Sequence, residues 1–382
     1  MPDFVFITYG NSQFDFQASV AEELAEGFRA LGYRAIASGF GDKERLSRAS
    51  AIIRESGISL VVAMNGAGFS REPGGYSEFR NSLGAPVAAV FIDHPAYHTE
   101  RIAAPIDRLL ATTPGRYDAA FIRQFIRTDI PTPTIRHGAV RPLPGVAKPW
   151  RERDIDVLVP SSLHGDPDAE RAAWPHRYGF VAAVLLNGVV EVHNAEPTRP
   201  LQEAVTDIVG DRVTSFNEFL EYFHVVDHHL RARAKLHAVR ALRDAGVRVT
   251  VCGPGWPDLG DGVTLIPSVP AVEAFALMGR AKLVANHLPP YYESHERPLQ
   301  AALYGAAAGS PPSDWLETAM DGQAIILPPP PKDAAATIAA ALASPDLAER
   351  AALGRAAVEN GQLWMHRSGE LARIVGLERL CR

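Results

Sequence analysis

Cysteine is scarce in this sequence, with only Cys252 and Cys381 among 382 residues. Two cysteines are too few for the disulfide framework of a small secreted domain, and these two lack the C-x-x-C spacing of zinc or redox motifs. Nothing in the cysteine pattern therefore indicates an oxidising compartment. We predict a cytoplasmic protein without a metal centre.

Long hydrophobic runs and basic runs are also missing. The longest apolar run, at 179–190, is interrupted by Asn187 and Gly188 well short of the length that spans a bilayer. The N-terminus lacks the basic region and apolar stretch of a secretory signal. No cluster of lysine and arginine is present to follow a nucleic-acid backbone, and the formal net charge is −6. These absences disfavour membrane-spanning, secreted and nucleic-acid-binding proteins.

What the first part of the chain does contain is a regular alternation of short β-branched runs and helical patterns. Such a rhythm is typical of parallel sheets whose strands are joined by helices. Each predicted strand ends in or next to glycine or proline, which suits loops at the carboxyl edge of a sheet. Strands are predicted at 4–9, 34–40, 58–66, 86–95, 108–114 and 131–139, and helices at 19–32 and 42–57.

A second α/β pattern begins after a proline-rich, basic segment at 140–153, which reads as a linker. We therefore predict two Rossmann-like doubly wound domains facing a cleft, because the length exceeds what one core usually serves. The predicted domains are 1–145 and 146–365, with a C-terminal helix at 366–382 that packs back on the N-terminal domain. Second-domain strands are predicted at 154–163, 248–256, 263–269, 282–287 and 324–330, and helices at 216–245 and 271–281.

The segment 286–310, NHLPPYYESHERPLQAALYGAAAGS, concentrates polar and charged residues beside a predicted helix start. Pro298 is predicted as the first helical residue and Gly305 as the residue just past the helix end. A helix N-terminus offers unpaired N–H groups and about half a positive charge, which favours phosphate, and Arg297 would add to it. The alternative is a capped surface helix with a Glu296–Arg297 ion pair.

Three stretches of the second half, VCGPGW, VPAVEAFALMGRAKLVANHLPP and ERPLQAALYGA, together resemble the C-terminal domain of GT-B glycosyltransferases. The resemblance covers about 215–370 and is closest to the spore-maturation CgeB-like group. It implies that the turn at Gly253, Gly255 and Trp256, the strand end at Asn286 and the helix start at Arg297 line a donor nucleotide.

One position departs from the family pattern. Gln300 stands where the family has an acidic residue that accepts hydrogen bonds from ribose hydroxyls, and glutamine accepts them without charge assistance. Departure of a nucleoside diphosphate requires neutralisation, which helix amides, Arg297, His295 and His287 are placed to provide. His295 serves equally well as a helix cap.

The acceptor side is predicted in the N-terminal domain. The stretch FIDHPAYHTER places Asp93 and His94 at the end of a hydrophobic strand, where either could act as the general base of an inverting transferase. The alternative is that Asp93 begins a turn and that the following proline constrains His94. The loops that follow strands 4–9 and 58–66 would also face the cleft.

The expected activity is transfer of a sugar from a nucleotide-activated donor to a hydroxyl of a glycan, lipid-linked or protein acceptor. The expected protein needs no cofactor besides the donor substrate, binds no nucleic acid, and has no membrane span, although peripheral membrane contact is compatible with it. Two alternatives remain open: a sugar-nucleotide epimerase of the same fold, and a non-catalytic nucleotide-sugar-binding protein, suggested by Gln300.

Overall fold

A computed structural model describes residues 3–10, 16–70 and 76–377 of the chain. These residues form two compact units. The N-terminal unit comprises the described residues of 1–141, 294–296 and 360–382, and the C-terminal unit comprises 142–293 and 297–359. Each unit contains a parallel sheet with helices, so the predicted fold class of two α/β domains is confirmed.

The N-terminal unit alternates strands and helices as the sequence predicts. Its elements up to residue 126 are β1 (Phe4–Tyr9), α1 (Phe16–Ala30), β2 (Arg34–Gly39), α2 (Lys43–Ser56), β3 (Leu60–Met64), α3 (Tyr76–Ser82), β4 (Val87–Val90), a 3-10 turn (Pro95–Tyr97), α4 (Thr99–Ile102), β5 (Leu109–Thr112), α5 (Arg116–Phe121) and a π-turn (Ile122–Ile126). The strands pair in parallel in the order β2-β1-β3-β4-β5.

The C-terminal unit carries a six-stranded sheet. Its elements, followed by the helix that returns to the N-terminal unit, are β6 (Ile155–Pro160), α6 (Pro167–Tyr178), α7 (Phe180–Ala195), α8 (Leu201–Val209), α9 (Phe216–Asp244), β7 (Val249–Cys252), β8 (Val263–Ile266), α10 (Ala271–Arg280), β9 (Ala281–Ala285), α11 (Glu296–Leu303), β10 (Ala307–Ser310), α12 (Asp314–Ala319), β11 (Ile325–Ile326), α13 (Pro331–Ala343), α14 (Leu347–Gly361) and α15 (Trp364–Ile374). The strands pair in parallel in the order β11-β10-β9-β6-β7-β8.

Both faces of the N-terminal sheet are covered, which explains why its strands read as continuous hydrophobic runs. Because side chains alternate along a strand, Val5 and Ile7 pack on the side of α1 and α15, whereas Phe4 and Phe6 join the core on the other face. Helix α15 is tied to α1 by a hydrogen bond from the Ser368 hydroxyl to the Leu24 carbonyl at 2.7 Å.

The strand predicted at 131–139 is wrong. This segment runs beside β5, where the carbonyls of Pro131 and Pro133 accept hydrogen bonds from Ala111 and Thr113 at 3.0 and 3.2 Å. Proline has no N–H with which to donate a hydrogen bond back to β5. A continuous strand therefore does not form, and only isolated bridges occur, at Thr134 and at 139.

The connection between β6 and β7 differs most from the expected pattern, because it contains the four helices α6 to α9 instead of one crossover helix. Only the last of these, α9, is predicted from the sequence. Helix α9 begins where predicted, since the Ser215 hydroxyl caps it by accepting from the Glu218 N–H at 3.2 Å. No helix in the described part of the chain has both the length and the apolar character needed to cross a bilayer.

Pro298 is not the first residue of its helix, as predicted, but the third residue of α11, which begins at Glu296. The position is still compatible with proline, because N–H groups in the first helical turn have no intrahelical partner. Gly305 follows the end of α11 with φ +72° in the left-handed region, as the sequence predicts for the residue past a helix end.

Candidate functional site

In the C-terminal unit, the strand order reverses between β6 and β9. From β6 the chain proceeds outward through β7 and β8, and from β9 it proceeds outward in the opposite direction through β10 and β11. In open parallel sheets, ligands bind outside the carboxyl ends of the strands at such a reversal. The residues that follow these two carboxyl ends are Ser161 and Asn286.

The turn after β7 packs tightly on the segment after β6. A Cβ atom on Gly253 would lie 2.6 Å from the Ser161 carbonyl oxygen, and one on Gly255 would lie 1.8 Å from that of Leu163. Both glycines have positive φ, +144° and +86°. The Trp256 indole N–H donates to the Ser161 carbonyl at 2.6 Å. This packing requires glycine at both positions, and contact of the turn with a donor stays a prediction.

Asn286 orients the guanidinium of Arg297. Its backbone N–H bonds the Gly309 carbonyl at 2.8 Å, which continues the ladder between β9 and β10. Its side-chain oxygen Oδ1 accepts from Arg297 Nη1 at 2.7 Å. Because Asn286 is buried at the strand end, Arg297 is held at the start of α11 beside the reversal point.

Two further cations lie at this edge that the sequence analysis did not select. Arg231 and Lys235 are one turn apart on α9, and Lys235 Nζ donates to the Ser162 carbonyl at 3.0 Å. Burial, together with the charges of Arg231 and Arg297, lowers the pKa of Lys235 to about 7. The signal available in the sequence was the i, i+4 spacing of two basic residues on the helix before the glycine turn.

A buried carboxylate anchors the loop between β9 and α11. Asp227, fully buried on α9, accepts hydrogen bonds from the hydroxyls of Tyr291 and Tyr292 at 2.7 and 2.8 Å. Arg231 Nη1 lies 3.5 Å from the same carboxyl group. The two tyrosines therefore fasten the loop that carries Asn286 to the helix that carries the basic pair.

His287 and Gln300 are enclosed by protein. Burial and the nearby charge of Arg297 lower the pKa of His287 to about 4, so its imidazole is neutral at pH 7. Its Nε2 finds no hydrogen-bond partner among the described residues. Gln300 is only 1% exposed within α11. The predicted contacts of both residues with a donor remain predictions.

In the N-terminal unit, the strand order reverses between β1 and β3, and a polar group follows the carboxyl end of β3. Asn65, with φ +47°, accepts from the Ile92 N–H at 2.9 Å and donates from Nδ2 to Asp93 at 3.0 Å. His98 Nε2 lies 3.5 Å from the same Asp93 oxygen, and the Asp93 side chain is 57% exposed. Asp93 is thus an accessible, oriented carboxylate at the carboxyl edge of this sheet.

His94 has a different environment from Asp93. It is buried, its Nδ1 accepts from the Ala96 N–H at 3.1 Å, and it caps the 3-10 turn that follows. Its Nε2 lies 3.6 Å from Asp118, and its ring packs edge-on against Phe121. These contacts give His94 a structural role, and its catalytic role stays a prediction.

His295 belongs with Ser294 and Glu296 to the N-terminal unit, and its contact with a donor stays a prediction. Its Nδ1 lies 3.3 Å from a Glu296 carboxylate oxygen, and its ring stacks on His137. His137 in turn contacts the Ser294 hydroxyl and the Ile92 carbonyl, each at 2.9 Å. His295 and Glu296 therefore lie near the carboxyl end of β4, which also carries Asp93. No group of three or more metal-ligating side chains occurs within the described ranges.

The chain was compared with family models, curated proteins and solved structures. Residues 231–373 match the family model described as Glycosyl transferase-like. No curated protein is significantly similar to the chain. Among solved structures, sucrose-phosphate synthase from Thermosynechococcus elongatus is similar with a TM-score of 0.51 and 12% identity, over 97% of this chain and 99% of that one.

A structure of Anabaena Alr3699/HepE in complex with UDP is similar with a TM-score of 0.50 and 11% identity, over 98% of this chain and 100% of that one. At such identities the structural likeness establishes the fold, and the finer resemblance to the CgeB-like group stays a prediction. The chain therefore has the GT-B glycosyltransferase fold, with a match to the glycosyl transferase-like family over residues 231–373.

Proposed function

We propose that this protein is a glycosyltransferase that moves a sugar from a nucleoside diphosphate donor to an acceptor hydroxyl. The donor binds at the carboxyl edge of the six-stranded sheet, and the acceptor binds at the carboxyl edge of the five-stranded sheet. The acceptor is a glycan, a lipid-linked molecule or a protein, and the proposed location is the cytoplasm.

The observation that carries the proposal is the set of three cations at the reversal between β6 and β9. The charges of Arg231 and Arg297 both act on Lys235, and the buried carboxylate of Asp227 opposes them. Basic groups held this close repel one another, and a bound anion reduces that repulsion. A diphosphate is such an anion, and the N-terminal amides of α11 add about half a positive charge.

These residues suit the chemistry of the departing group. In the transfer step, the bond between the sugar anomeric carbon and the diphosphate oxygen breaks, and the acceptor oxygen bonds to that carbon. Negative charge develops on the diphosphate, which fixed cations stabilise at low reorganisation cost. We propose that Asp93 takes the acceptor proton in an inverting reaction, and that the cation set performs the neutralising role without a metal ion.

The proposed donor is a UDP-sugar, because the similar Anabaena protein is seen in complex with UDP. The test is calorimetric titration with UDP-, GDP-, CMP- and dTDP-sugars, followed by turnover assays with acceptors. Arg297→Gln should weaken binding of the preferred donor by about 10- to 150-fold, since a charge-assisted contact is worth roughly 1.5–3 kcal/mol. Arg248→Gln is the matched control, because Arg248 precedes β7 at the amino edge of the sheet and pairs with Asp156.

The outcomes separate the candidate functions. Transfer to an acceptor supports the proposal. Epimer exchange without an acceptor identifies an epimerase, and donor binding without any turnover identifies a binding protein. If no sugar nucleotide binds, or if Arg297→Gln binds the donor as the wild type does, the assignment of this edge as the donor site is refuted.

A further inference from the structure

The corner between α6 and α7 exposes a patch of large apolar side chains that no part of the catalytic proposal uses. Phe180 is 76% exposed and Val181 73%, and the patch continues to Tyr178 and Val184. Gly179, with φ +85°, forms the corner between the two helices and separates the two aromatic residues. We call Tyr178, Phe180, Val181 and Val184 the corner patch.

The corner patch differs from the rest of α7. Three-residue and four-residue spacings on this helix place Ala183, Leu186 and Val190 in the core, so the helix is already anchored by its buried face. Phe180 and Val181 lie at its N-terminal end, outside that face. Their exposure therefore serves no packing need within the described residues.

The size of the patch argues against a stable dimer interface. A fully exposed aromatic or aliphatic side chain of this kind presents about 150–250 Å², so the four residues together expose roughly 400–500 Å². A specific interface between proteins requires about 800 Å² from each partner. The patch is thus too small for self-association on its own, and its size is that of the largest apolar patch on a typical monomer, which is often a functional surface.

The corner carries one exposed cation, Arg177, and an exposed histidine, His176. Residues 175–190, PHRYGFVAAVLLNGVV, contain no acidic residue. The carboxylate of Glu170 lies 3.8 Å from Arg177 and offsets part of its charge. Two aromatic residues beside two basic residues and two valines fit the boundary between anionic headgroups and acyl chains.

We propose that the corner patch docks on the surface of an anionic lipid bilayer, with Phe180 and Val181 entering the headgroup boundary and Arg177 contacting lipid phosphates. This interaction is peripheral. It is independent of the proposed transfer reaction, because none of its residues belongs to the candidate donor or acceptor sites. It holds the protein at a membrane face through the helical segment inserted between β6 and β7.

The test is flotation of the full chain with vesicles of phosphatidylcholine mixed with phosphatidylglycerol, and with vesicles of pure phosphatidylcholine. The wild type should float with the anionic vesicles. The double variant Phe180→Ser, Val181→Ser should partition at least about tenfold more weakly, because most of the exposed apolar area is removed. Arg177→Glu should reduce binding to the anionic vesicles while leaving the apolar patch intact.

A matched control is the double variant Val272→Ser, Leu353→Ser, which removes two large apolar side chains that are 57% and 51% exposed elsewhere. This variant should bind vesicles as the wild type does. Sedimentation velocity and thermal unfolding of all variants check assembly and folding. Because the substituted side chains are exposed, their loss should leave the unfolding temperature unchanged.

Several results would overturn the proposal. These are absence of wild-type flotation, equal flotation of the corner double variant, and equal binding to neutral and anionic vesicles. A concentration-dependent dimer that the corner double variant abolishes, without vesicle binding, would assign the patch to a second copy instead.

Discussion

The proposed donor site predicts that donor binding depends on pH through Lys235. Its pKa is lowered to about 7 by burial and by the charges of Arg231 and Arg297, with a small opposing effect from Asp227. A bound diphosphate favours the charged form of lysine and raises this pKa. Binding therefore takes up a proton, and affinity is highest below pH 7 and falls as the pH rises through 7.

The size of the effect follows from the charged fraction of Lys235 in the free protein. That fraction is about nine-tenths one pH unit below the pKa and about one-tenth one unit above it. Donor affinity should thus fall roughly tenfold across these two units, which corresponds to about 1.4 kcal/mol.

The assay is calorimetric titration with UDP-glucose or whichever UDP-sugar the donor screen selects. The diphosphate of such a donor carries no phosphate monoester, a group whose pKa of about 6 would add its own titration. Lys235→Arg keeps the charge at all these pH values, so it should bind tightly above pH 7 and lose most of the dependence. Lys235→Met should bind weakly throughout.

The reasoning fails if wild-type affinity is constant between one unit below and one unit above pH 7. It fails equally if Lys235→Arg retains the wild-type slope, because the titrating group would then be another residue. Binding heats measured in buffers of different ionisation enthalpy give the number of protons taken up on donor binding. The proposal requires net proton uptake near pH 7.

Three other predictions concern the acceptor side, the glycine turn and metal dependence. Asp93→Asn should lower turnover by about 100-fold or more while calorimetry finds donor affinity unchanged, and normal rates would make Asp93 structural. Gly255→Ala should lower the free energy of unfolding in urea clearly more than Gly260→Ala, because both have positive φ but only Gly255 would meet a carbonyl, at 1.8 Å; similar losses would mean that the turn relaxes. A chelator such as EDTA should leave turnover unchanged, and loss of activity restored by a divalent cation would contradict charge neutralisation by protein residues alone.

Much of the architecture was accessible from local pattern. The strands that become β1, β6 and β7, the helix at 216–244 and the glycine at 305 follow from periodicity, caps and turn residues acting over short distances. The strand predicted at 131–139 shows the limit of this reasoning. Its hydrophobic pattern was correct, but prolines without N–H groups prevented a ladder.

The candidate site was accessible only in part. The order of the motifs predicted that Asn286, Arg297 and the glycine turn belong to one site. In the structure, each of them makes a contact that explains why that residue type is present. Arg231 and Lys235 were not selected, because their i, i+4 spacing does not reveal that this face of the helix lies against the end of a distant strand. Asp227 was not selected either, because its role comes from two tyrosine hydroxyls 64 and 65 residues away along the chain.

What the sequence by itself determined is which segments become strands and helices, because propensity, caps and glycine turns act between neighbouring residues. Tertiary structure alone decided which side chains share an environment. It brought the charge of Arg297 close enough to act on Lys235 across more than sixty residues of chain. The pKa of a lysine and the accessibility of an aspartate depend on burial and on charges brought close by folding, and these do not exist in the unfolded chain.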